Sequence, residues 1–119
     1  MTKTDKVKEF HDKFKISTST TDNLDAIEQR KRLIREEFLE LKEALNSEEP
    51  KAILKECCDL VYVVIGSAVV FGMDFDEAFD RVHASNMTKM WEDGKPRYRS
   101  DGKVLKPKTY KPPDLKDLI

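Results

Sequence analysis

The sequence predicts an all-α fold: a bundle of about four helices, then a short irregular or hairpin C-terminal tail, assembling as a dimer or dimer of dimers. Three observations predict it. Apolar residues recur at steps of three, four and seven along most of the chain, the period of a helix with one buried stripe. Only 4 Gly and 5 Pro occur in 119 residues, and three of the prolines fall near the end. Ser, Thr, Asp and Asn stand just ahead of the periodic stretches, where helix N-caps are expected.

The length fits a single domain over 1–119, helical over about 4–91 with a tail over about 92–119. Lys plus Arg number 22 and Asp plus Glu 23, a net charge of −1, which argues against a binder of nucleic-acid polymers. No apolar signal segment opens the chain. The longest near-apolar run, Leu60 to Phe71, falls short of the ~20 residues needed to cross a bilayer, so no membrane partner is expected. The two cysteines, Cys57 and Cys58, are adjacent, which disfavours a disulfide between them and points to reduced thiols in a cytoplasmic protein. Two distant histidines without a Cys-x-x-Cys carry no zinc signature.

Thr4 to Ile16 reads as a first helix, with Val7, Phe10 and Phe14 at helical spacing. A polar linker, Ser17 to Asn23, supplies Asp22 or Asn23 to cap the second helix, Leu24 to Asn46. There Ile27, Ile34, Phe38, Leu41 and Leu45 form the apolar stripe. Asn46 to Pro50 is a loop, and Pro50 suits the first turn of a third helix. That helix, Lys51 to Gly72, becomes apolar nearly all round from Leu60 to Phe71. The rival reading is a strand, since Val and Ile favour sheet, but the run is long for a strand and continues an amphipathic helical pattern. A helix apolar on all sides must be covered on all sides, so a subunit interface is expected there. Gly66-Ser67-Ala68 should let helices approach closely. Asp74 and Glu77 form a capping-box pattern for a fourth helix ending about Trp91, with Trp91 packing at the helix end. Asp101-Gly102 can then turn a short hairpin.

The chemistry lies in the second and third helices. Residues three or four apart share a helix face, which pairs Glu37 with Glu40 and Glu56 with Asp59. Fifteen residues separate Glu40 from Glu56, enough to end one helix, turn, and begin an antiparallel one that brings the pairs together. A generic Glu-x-x-Glu is usually a solvated face. Here Glu37 has Leu33, Ile34, Glu40 and Leu41 as helical neighbours and Glu56 has Ala52, Ile53, Asp59 and Leu60, none of them a base. Only Glu36 (with Arg32) and Asp59 (with Lys55) have local ion-pair partners. Acids clustered beside a core stripe repel and lose hydration, and such a cluster persists when something positive fills it. All the ligands are carboxylate oxygens, which suit Mg²⁺, Mn²⁺ or Ca²⁺; the Glu-x-x-His pairs of a di-iron bundle are missing. Mg²⁺ is commonly shared with substrate phosphates, so the cluster points to phosphate-ester or anhydride chemistry.

At these residues the sequence resembles the all-α nucleoside triphosphate pyrophosphatases, the MazG-like and phosphoribosyl-ATP pyrophosphohydrolase-like superfamily. Their Glu-Glu-x-x-Glu and Glu-x-x-Asp motif stands here as Glu36-Glu37-x-x-Glu40 and Glu56-x-x-Asp59. Ser85-Asn86-Met87-Thr88-Lys89 is similar to a segment of a MazG-like subgroup, as is the tail from Asp101-Gly102-Lys103 to Pro112-Pro113-Asp114-Leu115. The resemblance implies a dimeric or tetrameric bundle that cleaves a nucleoside triphosphate between its α- and β-phosphates with Mg²⁺, for which Mn²⁺ could substitute. It implies Glu37, Glu40, Glu56 and Asp59 as metal ligands, Glu36 as a further ligand or the base that activates water, and Asn86 and Lys89 as substrate contacts. Glu36 and Glu37 are the catalytic candidates. Phe10, His11 and Phe14 could line a base pocket, against a plain core-packing role. Seven bases between Lys95 and Lys111, Lys106 among them, face one acid, Asp101, and could close over the triphosphate. The alternatives are hydrolysis of phosphoribosyl-ATP and a non-enzymatic, divalent-ion-binding dimerisation module.

Overall fold

The computed structural model describes all 119 residues and is helical as expected. Its elements are α1 (Lys3–Lys13), α2 (Leu24–Ser47), α3 (Pro50–Val70), α4 (Phe75–Met87) and a single 3-10 turn (Lys116–Leu118). The chain divides into two compact units, Met1–Phe75 and Asp76–Ile119. No single helix is long and apolar enough to cross a membrane.

The first unit holds α1, α2 and α3. Thr2 and Asp5 form a reciprocal capping box at the start of α1, 3.0 and 2.9 Å, so this helix begins one residue before the predicted Thr4. It stops at Lys13, three residues short of the predicted end, because Lys15 turns to positive φ and Ile16 bonds back to the His11 carbonyl. Asn23 caps α2, accepting from the Ala26 N–H. Glu48 ends it in a left-handed conformation. Glu49 caps α3 and Pro50 occupies its first turn, where a missing N–H leaves nothing unsatisfied. The Ser19 N–H reaches the Val70 carbonyl at 2.7 Å, tying the α1–α2 linker to the far end of α3.

Helices α2 and α3 run antiparallel. Arg30 reaches Val63 and Ser67, while Glu37 and Glu40 meet Glu56 and Asp59, so rising numbers on α2 match falling numbers on α3. Helix α1 lies along α3 in the same direction: Phe10 meets Tyr62 edge-on at 5.5 Å, and His11 sits over Gly66.

The structure keeps Ile27, Ile34 and Leu41 of the predicted α2 stripe half-buried and corrects the rest. Phe38 (51%) and Leu45 (53%) are exposed, whereas Arg30 and Ala44 are buried and Glu37 is half-buried. Arg30 and Glu37, seven residues apart, both meet α3, so the face toward α3 is partly polar, with Ile27, Ile34 and Leu41 beside it. On α3, Ile65, Gly66 and Val70 are buried, but Val61, Tyr62 and Val64 stay exposed. The all-round apolarity of this helix thus exceeds what its own chain covers.

The second unit is built from α4 and the tail. Helix α4 ends at Met87 rather than near Trp91. Thr88 and Lys89 bond three residues back, to Ser85 and Asn86, and the Thr88 hydroxyl takes the Ser85 carbonyl at 2.7 Å. That hydroxyl also accepts from the Lys111 N–H at 2.9 Å, so the returning tail replaces the next helical turn. The predicted hairpin forms. Tyr98 and Val104 make a single antiparallel bridge, the Arg99 N–H meets the Lys103 carbonyl at 2.7 Å, and Gly102 takes the positive φ that the Asp-Gly turn requires. Trp91 lies past the helix end, donating to the Leu105 carbonyl with the Arg97 guanidinium over its ring at 4.2 Å.

Candidate metal centre

Glu37 and Glu40 stand one turn apart on α2, and Glu56 and Asp59 one turn apart on α3. Antiparallel packing brings the pairs together: one carboxylate oxygen from each of the four lies within 4.8 Å of the others. Glu40 is exposed; the other three are half-buried. One oxygen of Glu37 and one of Glu56 are buried with no hydrogen-bond partner. Unsatisfied buried acceptors are uncommon and costly, and two of them in a ring of four acids are oxygens disposed to accept a cation.

The electrostatics agree. The Glu37 carboxyl is pushed above its usual value, first by burial, then by the Glu40 side chain beside it, then by the charges of Asp59 and Glu56. Like charges in one site favour retention of a proton. Lys55 is the one base that touches the cluster, 2.7 Å from Asp59 and 3.4 Å from Glu56, and those two carboxylates push its own ionisation up. It reaches only the α3 half and is itself exposed. Because the Lys55 ammonium competes with any other cation for Glu56 and Asp59, Lys55→Ala should tighten Mn²⁺ binding by about threefold, read by titration calorimetry. Weaker binding in that variant would make Lys55 a support of the site instead.

The other site expectations separate. Glu36 is exposed and lies outside the four. Phe10 stacks with Phe14 at 4.6 Å and meets Tyr62, an exposed aromatic group fit for stacking. His11 is 6% exposed; burial and the neighbouring Arg30 charge hold its ionisation below the usual 6.5. It is a packed wall residue between α1 and α3. Asn86 is exposed at the end of α4. Lys89 and Lys106, far apart in sequence, both lie against the Tyr110 ring, 5.9 and 5.0 Å from its centroid.

Two residues escaped the sequence reading. Tyr110 left no signal there, since the ring matters only through what the tail brings to it. Arg30 did leave one. It sits three residues after Ile27 and four before Ile34, a base in the middle of an apolar stripe. Its Nε donates to Ser67 at 3.0 Å and its Nη2 to the Val63 carbonyl at 2.9 Å, one turn beyond Asp59, so it clamps α2 to α3 next to the acids.

Comparison with known proteins bears on this arrangement. Residues 7–86 match the family model described as phosphoribosyl-ATP pyrophosphohydrolase, a span that includes all four clustered acids. An uncharacterized protein of Acanthamoeba polyphaga mimivirus is 33% identical over 85 residues, 71% of this chain and 32% of that protein. The chain thus spans about a third of the length of that relative.

Proposed function

The chain belongs to the phosphoribosyl-ATP pyrophosphohydrolase family, and from that premise we propose that it hydrolyses (deoxy)nucleoside triphosphates between the α- and β-phosphates, yielding a monophosphate and pyrophosphate. The observation that carries the reading is the four-carboxylate ring with two orphaned buried oxygens. An all-oxygen, acidic donor set fits a hard divalent ion, so Glu37, Glu40, Glu56 and Asp59 would hold Mg²⁺, with Mn²⁺ as a substitute. When bound, that ion supplies charge neutralisation at the phosphoryl oxygens.

The protein's own groups supply the rest. Glu36 and Glu37 are the candidates to take the proton from the attacking water. Glu37 is suited by its place in the ring, next to where the ion would be held; Glu36 is suited by exposure outside the ring. Phe10 offers an aromatic face to a base, with His11 packed behind it. Asn86, Lys89 and Lys106 supply polar and positive contacts for the nucleotide. Self-association as a dimer or dimer of dimers would cover Val61, Tyr62 and Val64, and a cytoplasmic setting suits the unpaired cysteines. Clearance of surplus or noncanonical nucleotides is the role this chemistry suits.

The family description favours a second reading, phosphoribosyl-ATP as substrate, with the same bond cleaved by the same carboxylates. Pyrophosphate release should be measured on a panel of NTPs, dNTPs and phosphoribosyl-ATP, with Mg²⁺ and with chelator. We expect metal-dependent release from one or more triphosphates. Release from phosphoribosyl-ATP alone selects the second reading, and no release with any divalent ion leaves a metal-binding helical module.

A further inference from the structure

The second unit carries a paired cationic feature that the acidic ring does not use. Its three arginines are all neutralised: Arg81 by Glu77 and Asp117, Arg97 by Asp93, Arg99 by Asp101. Lys89 and Lys106 make no such pair. Lys89 leaves the end of α4, Lys106 follows the hairpin, and the fold brings both ammonium groups within 6 Å of one ring, that of Tyr110. Both residues lie beyond the 7–86 family match.

The ring is held in place from several sides. The Tyr110 hydroxyl shares a hydrogen bond with Ser85 at 3.2 Å, and Ser85 is buried at 5% exposure. The same serine donates to the Lys111 carbonyl at 2.6 Å, the Lys111 N–H meets Thr88, and the Tyr110 N–H meets the Pro107 carbonyl at 3.1 Å. A half-buried ring anchored in this way attracts both cations, although they repel each other. Two like charges gathered without a counter-ion are most favourable when an anion with several charges joins them. Lysine ammonium groups act as compact point charges suited to phosphate oxygens, and two of them engage a chain of phosphates better than a single one.

We infer that Lys89 and Lys106 form a polyphosphate clamp and that Tyr110 is the positioning residue that holds them together. The clamp prefers di- and triphosphate anions to a lone phosphate group, so substrate and pyrophosphate are held more tightly than the monophosphate. As a substrate-binding element it rests on the proposed triphosphate hydrolysis, but its binding property can be read without any turnover.

The test is calorimetric titration of the full-length, chelator-treated protein with inorganic tripolyphosphate and with orthophosphate. Wild type should bind tripolyphosphate at least about tenfold more tightly than orthophosphate. Lys89→Ala, Lys106→Ala and Tyr110→Leu should each lose about fivefold or more, whereas Tyr110→Phe, which keeps the ring, should stay within about twofold. Should Tyr110→Leu lose helical content by circular dichroism, Lys106→Ala decides alone, since its side chain is exposed. Absence of tripolyphosphate binding in wild type, unchanged binding in both lysine variants, or Tyr110→Phe as weak as a folded Tyr110→Leu overturns the clamp. With an active protein, Lys106→Ala should raise KM and leave kcat near wild type. A protein that grips tripolyphosphate through these lysines yet hydrolyses nothing keeps the clamp and loses the proposed activity. One that hydrolyses triphosphates with KM unmoved in both lysine variants keeps the activity and loses the clamp.

Discussion

Glu40→Gln is expected to lower turnover at least about 100-fold and, in the metal-free protein, to raise the melting temperature. The two effects have one cause. Glu40 is one of four carboxylates within 4.8 Å, and a neutral amide in its place weakens the hold on a divalent cation. Without the cation, the same amide relieves repulsion and can donate a hydrogen bond to Glu37. In the wild-type fold Glu37 is held above its usual 4.5, by burial first and by Glu40 next. The folded chain therefore keeps a proton that the unfolded chain has released. Stability from this group is fully present below about pH 4.5 and is lost as pH rises through the raised Glu37 value. His11 titrates with the opposite consequence. Its ionisation is held below 6.5, so it withdraws stability as pH falls. The His11 contribution is common to wild type and Glu40→Gln and cancels in their difference. Melting temperatures in chelator from pH 4.5 to 8 should show the variant's advantage growing with pH, and Mg²⁺ should reverse the order. Full activity in the variant, or parallel melting profiles, would remove Glu40 from the site.

Gly66→Val should destabilise the first unit by about 2–4 kcal/mol, a drop in melting temperature of roughly 10 °C or more. A Cβ at Gly66 would stand 2.8 Å from Arg30 Nη2 and 3.0 Å from His11 Nε2. Arg30 cannot simply swing aside, because Nε is bound to Ser67 and Nη2 to the Val63 carbonyl, and the residue is 5% exposed. Valine adds branched bulk where three helices meet. It should also disturb the acids, since Arg30 fixes α3 against α2 one turn from Asp59. Gly66→Ala is the informative companion. Helix propensity favours alanine by about 1 kcal/mol, so a loss of stability even with alanine locates the effect in the Arg30–His11 contact. Melting curves of both variants, with Mn²⁺ affinity measured on the same samples, test this. A Gly66→Val protein as stable as wild type would show that this junction has room to relax.

Four helices, a cap for α2 at Asp22 or Asn23, Pro50 in the first turn of α3, and the Asp101-Gly102 hairpin could be read from local chemistry, because each depends on residues within a turn of one another. The carboxylate ring was also legible, through the fifteen-residue interval between Glu40 and Glu56 and the lack of bases beside Glu37. The end of α4 was not. Nothing between Thr88 and Trp91 forbids a helix; the tail stops it by bringing Lys111 to the Thr88 hydroxyl, and such a contact has no local trace. The α2 stripe failed at Phe38 and Leu45 for a related reason. Apolar spacing located a face, but the side toward α3 is centred on Arg30, whose buried guanidinium finds its acceptors on another helix.

By itself the sequence determined that there are four helices, roughly where each runs, and which acids belong together, since hydrophobic period and residue charge act over a few neighbours. Only the tertiary structure decided that one oxygen each of Glu37 and Glu56 is buried without a partner, that Arg30 bridges two helices, and that Lys89 and Lys106 share one ring. Burial and the pairing of distant side chains come into being when separate segments meet, and neither is a property of any one stretch of chain.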